Sequence, residues 1–243
     1  MIYVGLDDTD VVDSPGTNQL ARHIAREVRE QFHVHLIVRH QLLFDPRVPY
    51  TSQNGCASML LEPRLLETRD AIEIRALPGR LAQMVLDWSP PGSDPGLCIT
   101  EKVPPAITSW GRRCQAELVS QVEARQLAEL FGIYLAGLGG TEGGVIGALA
   151  AVGLLAERQS GRVIHLGSSS DDLFDVSGPQ TVEQLLARGI DEVYCGESNR
   201  RVDSGEIDVG KRLRPNLHEG KVVLFVRPAP LAFRARWQAL RPK

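Results

Sequence analysis

The chain has 243 residues, of which 43% are hydrophobic, 23% charged and 5% aromatic, and its mean hydropathy is −0.12. These values are typical of an ordinary globular protein with one large or two small domains, and they exclude a disordered or collagen-like chain. The 27 basic and 30 acidic side chains leave a net charge of −3, which argues against a generally basic nucleic-acid-binding protein.

The charge is unevenly distributed along the chain. Arg200–Lys243 contains 11 basic and 4 acidic residues, a net charge of +7, whereas the first 199 residues carry a net charge of −10. We therefore expect the basic carboxy-terminal part to attract an anionic ligand and the acidic first part to repel it unless a cation is bound there.

The cysteines and the amino terminus predict a cytoplasmic protein. The four cysteines have neither CxxC nor Cys–His spacing, so we expect buried, reduced thiols rather than a zinc ribbon or a disulfide framework. The chain begins with an apolar, strand-like run instead of a basic signal segment. No stretch approaches the roughly 18 uninterrupted apolar residues that a membrane span needs, so no contact with a membrane is expected.

The first elements are predicted from hydrophobic spacing. Met1–Leu6 is apolar and is predicted to form a buried strand. Ser14–Thr17 is a helix start signal with a capping hydroxyl and an early proline, and apolar residues at four-residue spacing extend the predicted helix to about Gln31. Alternating apolar residues over Phe32–Val38 predict a half-buried strand.

The remaining elements follow from the same rules. The prolines in Asp45–Tyr50 and Ser89–Gly96 mark loops. Strands are predicted at Gly55–Glu62, Leu97–Thr100, Arg162–Leu166, Glu192–Cys195 and Val222–Val226, and helices at Leu77–Trp88, Gln121–Phe131, Val145–Glu157 and Gln180–Arg188. A soft boundary near Arg158–Arg162 predicts two domains, residues 1–158 and 159–243.

An acidic cluster follows the first predicted strand. Asp7, Asp8 and Asp10 come directly after its last apolar residue, and Asp13 lies close by. Ligands of open α/β sheets bind beyond the carboxyl ends of strands, and Mg²⁺ is commonly held there by one or two carboxylates together with substrate phosphates. The cluster therefore predicts a magnesium site. The alternative is an acidic turn whose aspartates cap the next helix.

A glycine-rich run precedes the predicted helix Val145–Glu157. Such a run lets backbone N–H groups converge on a phosphate, and the helix amino terminus adds positive potential. It matches neither a Walker A loop nor a complete G-x-G-x-x-G motif. The alternative is a hinge before a closely packed helix, since two glycines fall inside the helix. The candidate phosphate-binding residues are Gly139, Gly140, Gly143, Gly144 and Gly147.

Three further features are weaker candidates. Thr17 is by default a helix cap, and it would present a hydroxyl to a nucleotide bound at the glycine run. Arg47, Gln53 and Asn54 are polar residues on a proline-stiffened loop and are candidates for ligand binding; the alternative is an ordinary solvated loop between strands. Arg212, Arg214 and His218 form a basic stretch suited to a phosphate or carboxylate, or to an ordinary surface loop.

Five motifs taken together, in this order, resemble the amino-terminal half of the archaeal tRNA-isoleucine agmatinylcytidine synthetase family (TiaS). They are Gly5-Leu6-Asp7-Asp8-Thr9-Asp10, Thr17, Asp45-Pro46-Arg47-Val48-Pro49-Tyr50 with Asn54-Gly55, Asp94-Pro95-Gly96, and the stretch from Gly144 to Gly153. The resemblance is clear over roughly the first 155 residues. It implies a mixed-sheet, kinase-like α/β domain that binds ATP and Mg²⁺, followed by a smaller ferredoxin-like α+β domain.

The resemblance also implies roles for particular residues. Asp7, Asp8 and Asp10 would be the metal-binding carboxylates, with Asp7 and Asp10 serving catalysis, and Thr17 would be the site of autophosphorylation. Gly143, Gly144 and Gly147 would lie along the triphosphate. Tyr50 would belong to the substrate-binding loop together with Arg47 and Asn54.

The departures from the family determine the expected acceptor. The basic residues that precede the family's glycine motif are replaced by Thr141, Glu142 and Gly143, and the lysine after its Pro-Tyr is Thr51. Arg112, Arg113 or the basic carboxy-terminal part would have to replace these cations. The family's OB-fold and zinc ribbon, which hold tRNA, have no counterpart in the sequence. We therefore expect a phosphotransferase acting on a small anionic substrate across the domain junction. The alternatives are a tRNA-modification enzyme or subunit with a separate RNA-binding partner, and a non-catalytic nucleotide-binding protein.

Overall fold

A computed structural model describes residues 1–48, 53–64, 70–167, 173–230 and 235–240. The chain divides into two compact units, Met1–Glu157 and Arg158–Lys243. Within the described residues, no helix is both long and apolar enough to cross a membrane.

The first unit is built on a five-stranded antiparallel sheet with the strand order β5-β4-β1-β3-β2. Its strands are β1 (Ile2–Asp7), β2 (Phe32–Gln41), β3 (Gly55–Pro63), β4 (Gly96–Thr100) and β5 (Tyr134–Gly137). Its helices are α1 (Thr17–Val28), α2 (Asp70–Trp88), α3 (Pro105–Ala116), α4 (Gln121–Leu130) and α5 (Val145–Glu157).

Helix α5 packs directly on the central strand. A Cβ atom at Gly5 of β1 would lie 1.9 Å from the carbonyl oxygen of Ala148, and one at Gly153 would lie 2.0 Å from the carbonyl oxygen of Ile107 in α3. Because α5 is apolar around its whole circumference, it is buried on all sides. Close packing therefore accounts for the glycine inside this helix at position 153.

The predicted amphipathic helix is confirmed, but its cap differs. Leu20, Ile24 and Val28 are buried on one face of α1, as their spacing predicts. The residue at the N-cap position is Gly16, and no side chain caps the helix. The prediction that Thr17 caps the helix is therefore wrong, because the helix begins at Thr17 itself and its hydroxyl bonds elsewhere.

The second unit has eight described strands and one described α-helix. They are β6 (Arg162–Leu166), β7 (Pro179–Thr181), α6 (Val182–Ala187), β8 (Glu192–Cys195), β9 (Arg200–Arg201), β10 (Glu206–Asp208), β11 (Asn216–His218), β12 (Lys221–Pro228) and β13 (Trp237–Ala239), with a 3₁₀ turn at Leu173–Asp175. The pairs β8–β12 and β10–β13 are parallel and the others are antiparallel.

These pairings confirm the predicted fold class, an α/β chain with a mixed sheet. The resemblance implies the mixed sheet in the first domain, but the parallel pairs lie in the second unit, and the described strand pairs within the first unit are antiparallel. A ferredoxin-like domain has two helices in a βαββαβ order, whereas the described part of this unit contains α6 alone. The ferredoxin-like arrangement therefore stays a prediction.

Candidate functional site

Four loops of the first unit leave the same edge of its sheet, which we call the loop edge. Asp7, the last residue of β1, pairs with Gly96 at the start of β4, and Gly96 pairs with Gly137 at the end of β5. On the other side, Gln41 at the end of β2 pairs with Gly55 at the start of β3. The loops 8–16, 89–95 and 138–144 and the described ends of the segment 42–54 therefore meet the sheet here. The motifs that the sequence singled out lie in these loops or continue into the strands and helices beside them.

Asp7 is held between the sheet and the first turn of α5. A Cβ atom at Gly147 would lie 1.9 Å from the Oδ2 atom of Asp7, so only glycine leaves room for this carboxylate. Burial raises the pKa of Asp7 well above its usual value, and the charges of Asp8 and Asp10 raise it further. The protonated form of Asp7 is therefore favoured unless a cation compensates its charge.

Asp8 lies in the left-handed region of backbone space, with a φ of 52°. Burial raises the pKa of Asp8 to about 6, and the charges of Asp94 and Asp10 contribute in the same direction. The neighbouring carboxylates thus repel one another, and a bound cation would relieve this repulsion.

Asp94 is a site residue that sequence reasoning did not select. Its Oδ1 accepts a hydrogen bond from the backbone N–H of Thr141 (2.6 Å) and its Oδ2 accepts one from the Thr141 hydroxyl (2.7 Å). Its carbonyl oxygen accepts one from the backbone N–H of Gly144 (3.0 Å). Asp94 therefore anchors the glycine-rich loop beside Asp8. The signal that could have found it is its place in the Asp94-Pro95-Gly96 motif.

The glycines of the loop 138–144 and of α5 serve two purposes. At Gly140, Gly144 and Gly147 the space of a Cβ atom is filled by atoms of this chain, among them those of Asp94 and Asp7. These three glycines permit close packing, which the sequence had left open as an alternative to phosphate contact.

The backbone N–H groups of Gly139, Gly140 and Gly143 are the remaining donors of this loop. They donate to no group that the structure describes, and α5 begins two residues after Gly143. Unpaired N–H groups beside a helix amino terminus have the chemistry of a phosphate-binding loop.

Thr17 belongs to a buried hydroxyl network beside the acidic cluster. Its hydroxyl donates a hydrogen bond to Oδ1 of Asp10 (3.3 Å) and accepts one from the hydroxyl of Thr9 (3.1 Å). Thr9 is fully buried and Thr17 is 6% exposed. The structure thus brings the candidate acceptor Thr17 into contact with one predicted catalytic carboxylate.

The predicted magnesium site is not a closed cage of protein ligands. Among the described residues, no three His, Cys, Asp or Glu side chains are grouped so that they could hold a metal ion. The donor chemistry still suits Mg²⁺, which commonly takes one or two carboxylates and completes its shell with water and phosphate oxygens. The mutual repulsion of Asp7, Asp8, Asp10 and Asp94 is the observation that fits such an ion.

The other predicted binding residues have partners of their own. Arg47 pairs with Asp45 in the same loop (2.8 Å), and the side chain of Asn54 donates to the carbonyl oxygen of Leu43 (2.8 Å). Tyr50 lies outside the described residues. Arg212, Arg214 and His218 belong to the second unit, where His218 packs edge-on against Phe225. Their role in substrate binding stays a prediction.

The arginines proposed to replace the missing cations are engaged in ion pairs. Arg112 pairs with Glu157 (3.3 Å), and Arg113 pairs with Glu117 (3.2 Å) and Glu123 (3.0 Å). Each guanidinium is already neutralised by a carboxylate. The expectation that Arg112 or Arg113 supplies charge to the phosphates therefore finds no support in the geometry.

Comparison with solved structures identifies the fold. No protein-family model and no curated protein matches the sequence. The structure is similar to a tRNA fluorescent labeling enzyme and to the TiaS–tRNA(Ile2)–ATP complex, each with a TM-score of 0.54 and 24% identity. It is also similar to the TiaS–tRNA(Ile2)–AMPCPP–agmatine complex, with a TM-score of 0.52 and 23% identity.

The matches cover about two thirds of this chain and a smaller part of each solved chain. The three alignments cover 63%, 63% and 62% of this chain but only 35%, 36% and 35% of the other chains. The chain therefore spans about a third of the length of the proteins it resembles. The resemblance to TiaS is confirmed at the level of the fold.

Proposed function

We propose that this chain is an ATP- and Mg²⁺-dependent enzyme that transfers a phosphoryl group, and that its acceptor is RNA. The observation that carries the proposal is the convergence at the loop edge. The loops that leave one sheet edge, and the residues directly beside them, contain the carboxylates of Asp7, Asp8 and Asp94 and the Asp10–Thr17 pair. The unpaired N–H groups of the glycine-rich loop lie at the same edge.

The choice of acceptor rests on the comparisons. The sequence alone favoured a small anionic molecule, with a tRNA-modification enzyme as the alternative. The similar structures are those of a tRNA labeling enzyme and of TiaS bound to tRNA(Ile2), with ATP or AMPCPP. They support the alternative, so RNA becomes the first acceptor to test. A small acceptor has no comparable support.

Each element of the site has a part in this chemistry. ATP bound with Mg²⁺ would supply the phosphoryl group, and the metal would offset the charge of the phosphate oxygens. The N–H groups of Gly139, Gly140 and Gly143 would bind phosphate oxygens, with the amino terminus of α5 adding positive potential. Asp8 is the carboxylate best placed to hold the metal, since both oxygens of Asp94 already accept hydrogen bonds from Thr141.

Asp10 is positioned to act as a base toward a hydroxyl group. It already accepts the hydrogen bond of the Thr17 hydroxyl, and proton removal by a positioned carboxylate is the usual task of a base in phosphoryl transfer. Thr17 is therefore the candidate for self-phosphorylation. Asp7 would contribute charge beside the metal rather than contact with the acceptor, because it is enclosed by α5.

The experiment follows the γ-phosphate of labelled ATP in the presence of Mg²⁺ and unfractionated tRNA. We expect label on tRNA or on the protein, and we expect Asp8→Asn to lower the rate about a hundredfold, as loss of a preorganised electrostatic group does. The matched control is Asp13→Asn, which removes an exposed carboxylate from the same loop at a similar φ of 69°. Equal rates for wild type and Asp8→Asn would contradict the proposal.

A second variant separates self-phosphorylation from transfer to RNA. Thr17→Val keeps the shape of the side chain and removes the hydroxyl, so label on the protein should disappear. Thr108→Val, in α3, is the control, since the Thr108 hydroxyl bonds only the carbonyl oxygen of Pro105 among the described groups. ATP binding without release or transfer of phosphate in the wild type would favour the non-catalytic alternative instead.

A further inference from the structure

A half-buried arginine near the loop edge has no carboxylate partner among the residues that the structure describes. Arg39 lies in β2, and its Nη2 atom donates hydrogen bonds to Oε1 of Gln41 (3.1 Å) and Oε1 of Gln53 (3.2 Å). The side chain is half-buried, and burial lowers the pKa of Arg39 because its charge is partly removed from water. A partly buried cation whose partners are neutral amides is incompletely compensated.

Three other arginines of the first unit form ion pairs. Arg47 pairs with Asp45, Arg113 with Glu117 and Glu123, and Arg125 with Glu142. Arg39 forms no ion pair with any residue that the structure describes. Within the described part of the chain, it is therefore a cation near the loop edge that is available to an external anion.

The surroundings of Arg39 hold its guanidinium in place. Gln41 accepts from Arg39 and donates its own amide to the carbonyl oxygens of Asn54 (2.6 Å) and Leu42 (3.2 Å), which fixes its orientation. A Cβ atom at Gly55 would lie 2.7 Å from Nη2 of Arg39, so the absence of a side chain there makes room for the guanidinium. The N–H groups of Nε and Nη1 donate to no described residue and are left for a ligand.

Arg39 faces away from the side of the sheet that carries Asp7. In the register of the sheet, Ala57 pairs with Leu6 on one side and with Arg39 on the other, so these three residues share one face. Asp7, one residue beyond Leu6, points to the opposite face and to α5. The guanidinium thus lies near the edge where the acidic loop begins, but on a different face from the glycine-rich loop.

We infer that Arg39, oriented by Gln41 and Gln53, binds a phosphate group of the RNA acceptor. This inference rests on the proposed function, and it adds a subsite separate from that for ATP. A guanidinium with unpaired N–H groups is well matched to phosphate oxygens, and charge-assisted hydrogen bonds of this kind are the stronger ones in proteins. The acidic residues near the same edge repel a phosphodiester, so a cation here would offset that repulsion.

The test measures the binding of unfractionated tRNA to the full chain at several salt concentrations, without nucleotide. We expect Arg39→Gln to weaken binding about tenfold at low salt. We also expect the slope of log Kd against log salt concentration to fall by about 0.7–0.9, the value of one lost phosphate contact. Arg39→Lys should restore the slope. The control Arg26→Gln removes an exposed charge from α1 and should leave both quantities unchanged.

The other outcomes are equally informative. An unchanged slope in Arg39→Gln, or no binding of tRNA by the wild type, overturns the subsite. A loss of ATP affinity equal to the loss of tRNA affinity also overturns it, because the phosphate would then be that of ATP. Transfer of label from ATP tests the proposed function separately. If no label is transferred but tRNA binding depends on Arg39, the subsite stands and the proposed function fails.

Discussion

Replacement of Asp8 by asparagine should lower activity about a hundredfold and stabilise the fold at the same time. Asparagine tolerates the φ of 52° at this position as well as aspartate does, so the backbone is not perturbed. The substitution removes a negative charge that is partly buried and is repelled by the charges of Asp94 and Asp10. Functional sites commonly retain such destabilising groups because their chemistry needs them.

The size and sign of the effect follow from the pKa. Asp8 has a pKa of about 6 in the folded protein, against about 3.9 in an unfolded chain. The folded state binds this proton more tightly, so ionisation of Asp8 destabilises the fold increasingly between about pH 4 and pH 6, and fully above that range. Two pKa units correspond to about 3 kcal/mol, which solvent screening of this half-exposed group reduces to about 1–2 kcal/mol.

Urea denaturation at pH 8 and at pH 4, without Mg²⁺ or nucleotide, measures this quantity. Asp8→Asn should raise the free energy of unfolding by about 1–2 kcal/mol at pH 8 and leave it nearly unchanged at pH 4. Asp13→Asn, at an exposed position with a φ of 69°, should show no such difference between the two pH values. A gain that is the same at both pH values would refute the electrostatic reasoning.

Three further variants test the packing of two helices and the anchoring of the glycine-rich loop. Gly79→Ala, where a Cβ atom meets nothing within 4 Å, should raise the free energy of unfolding by about 1 kcal/mol. Gly153→Ala should instead lower the free energy of unfolding by about 1–2 kcal/mol, because its Cβ atom would meet the backbone of α3. If urea denaturation showed the same increase for Gly153→Ala as for Gly79→Ala, the close packing of α5 on α3 would be contradicted. Asp94→Asn should raise the KM for ATP several-fold, because it loosens the glycine-rich loop. It should also lower the pKa of Asp8, so the pH at which Asp8→Asn begins to stabilise the protein should fall. An unchanged KM would contradict the anchoring role of Asp94.

Local patterns in the sequence predict the elements that are strongly periodic. The spacing of Leu20, Ile24 and Val28 places α1 correctly, because it reflects a single buried face. The alternation over Phe32–Val38 locates β2, but the expected half-buried strand is buried on both faces. Leu36, Ile37 and Val38 are all buried, and a register shift between Val34 and Leu36 moves the alternating residues to the other face. Helix α2 begins seven residues before its predicted start at Leu77 and contains Pro78. Helix α3 was not predicted, although Pro105 at its start and buried Ile107, Trp110 and Cys114 supply the signal.

The composition of the acidic cluster and the glycine-rich loop is visible in the sequence, but their meeting is not. Asp94 and Asp8 are 86 positions apart, and they come together because Asp7 pairs with Gly96 in an antiparallel register. Register depends on the whole sheet and on its turns, so no local pattern specifies it. The same holds for Gly147. In the sequence it is only a glycine inside a predicted helix, where glycine lowers helix stability, whereas the structure shows that the missing side chain leaves room for the carboxylate of Asp7.

Charge is the property for which sequence reasoning fails most clearly, because counting residues says nothing about their partners. Arg112 and Arg113 count as two cations near the glycine-rich loop, yet carboxylates of the same unit neutralise both. Arg39 counts as one residue of a β-strand, yet it has only neutral partners among the described residues. The loop edge is therefore more negative toward α5, and more positive toward β2, than the composition of its loops indicates. A bound cation on the first side and an RNA phosphate on the second would each correct a local imbalance, which is why the two ligands are expected at different places on one edge.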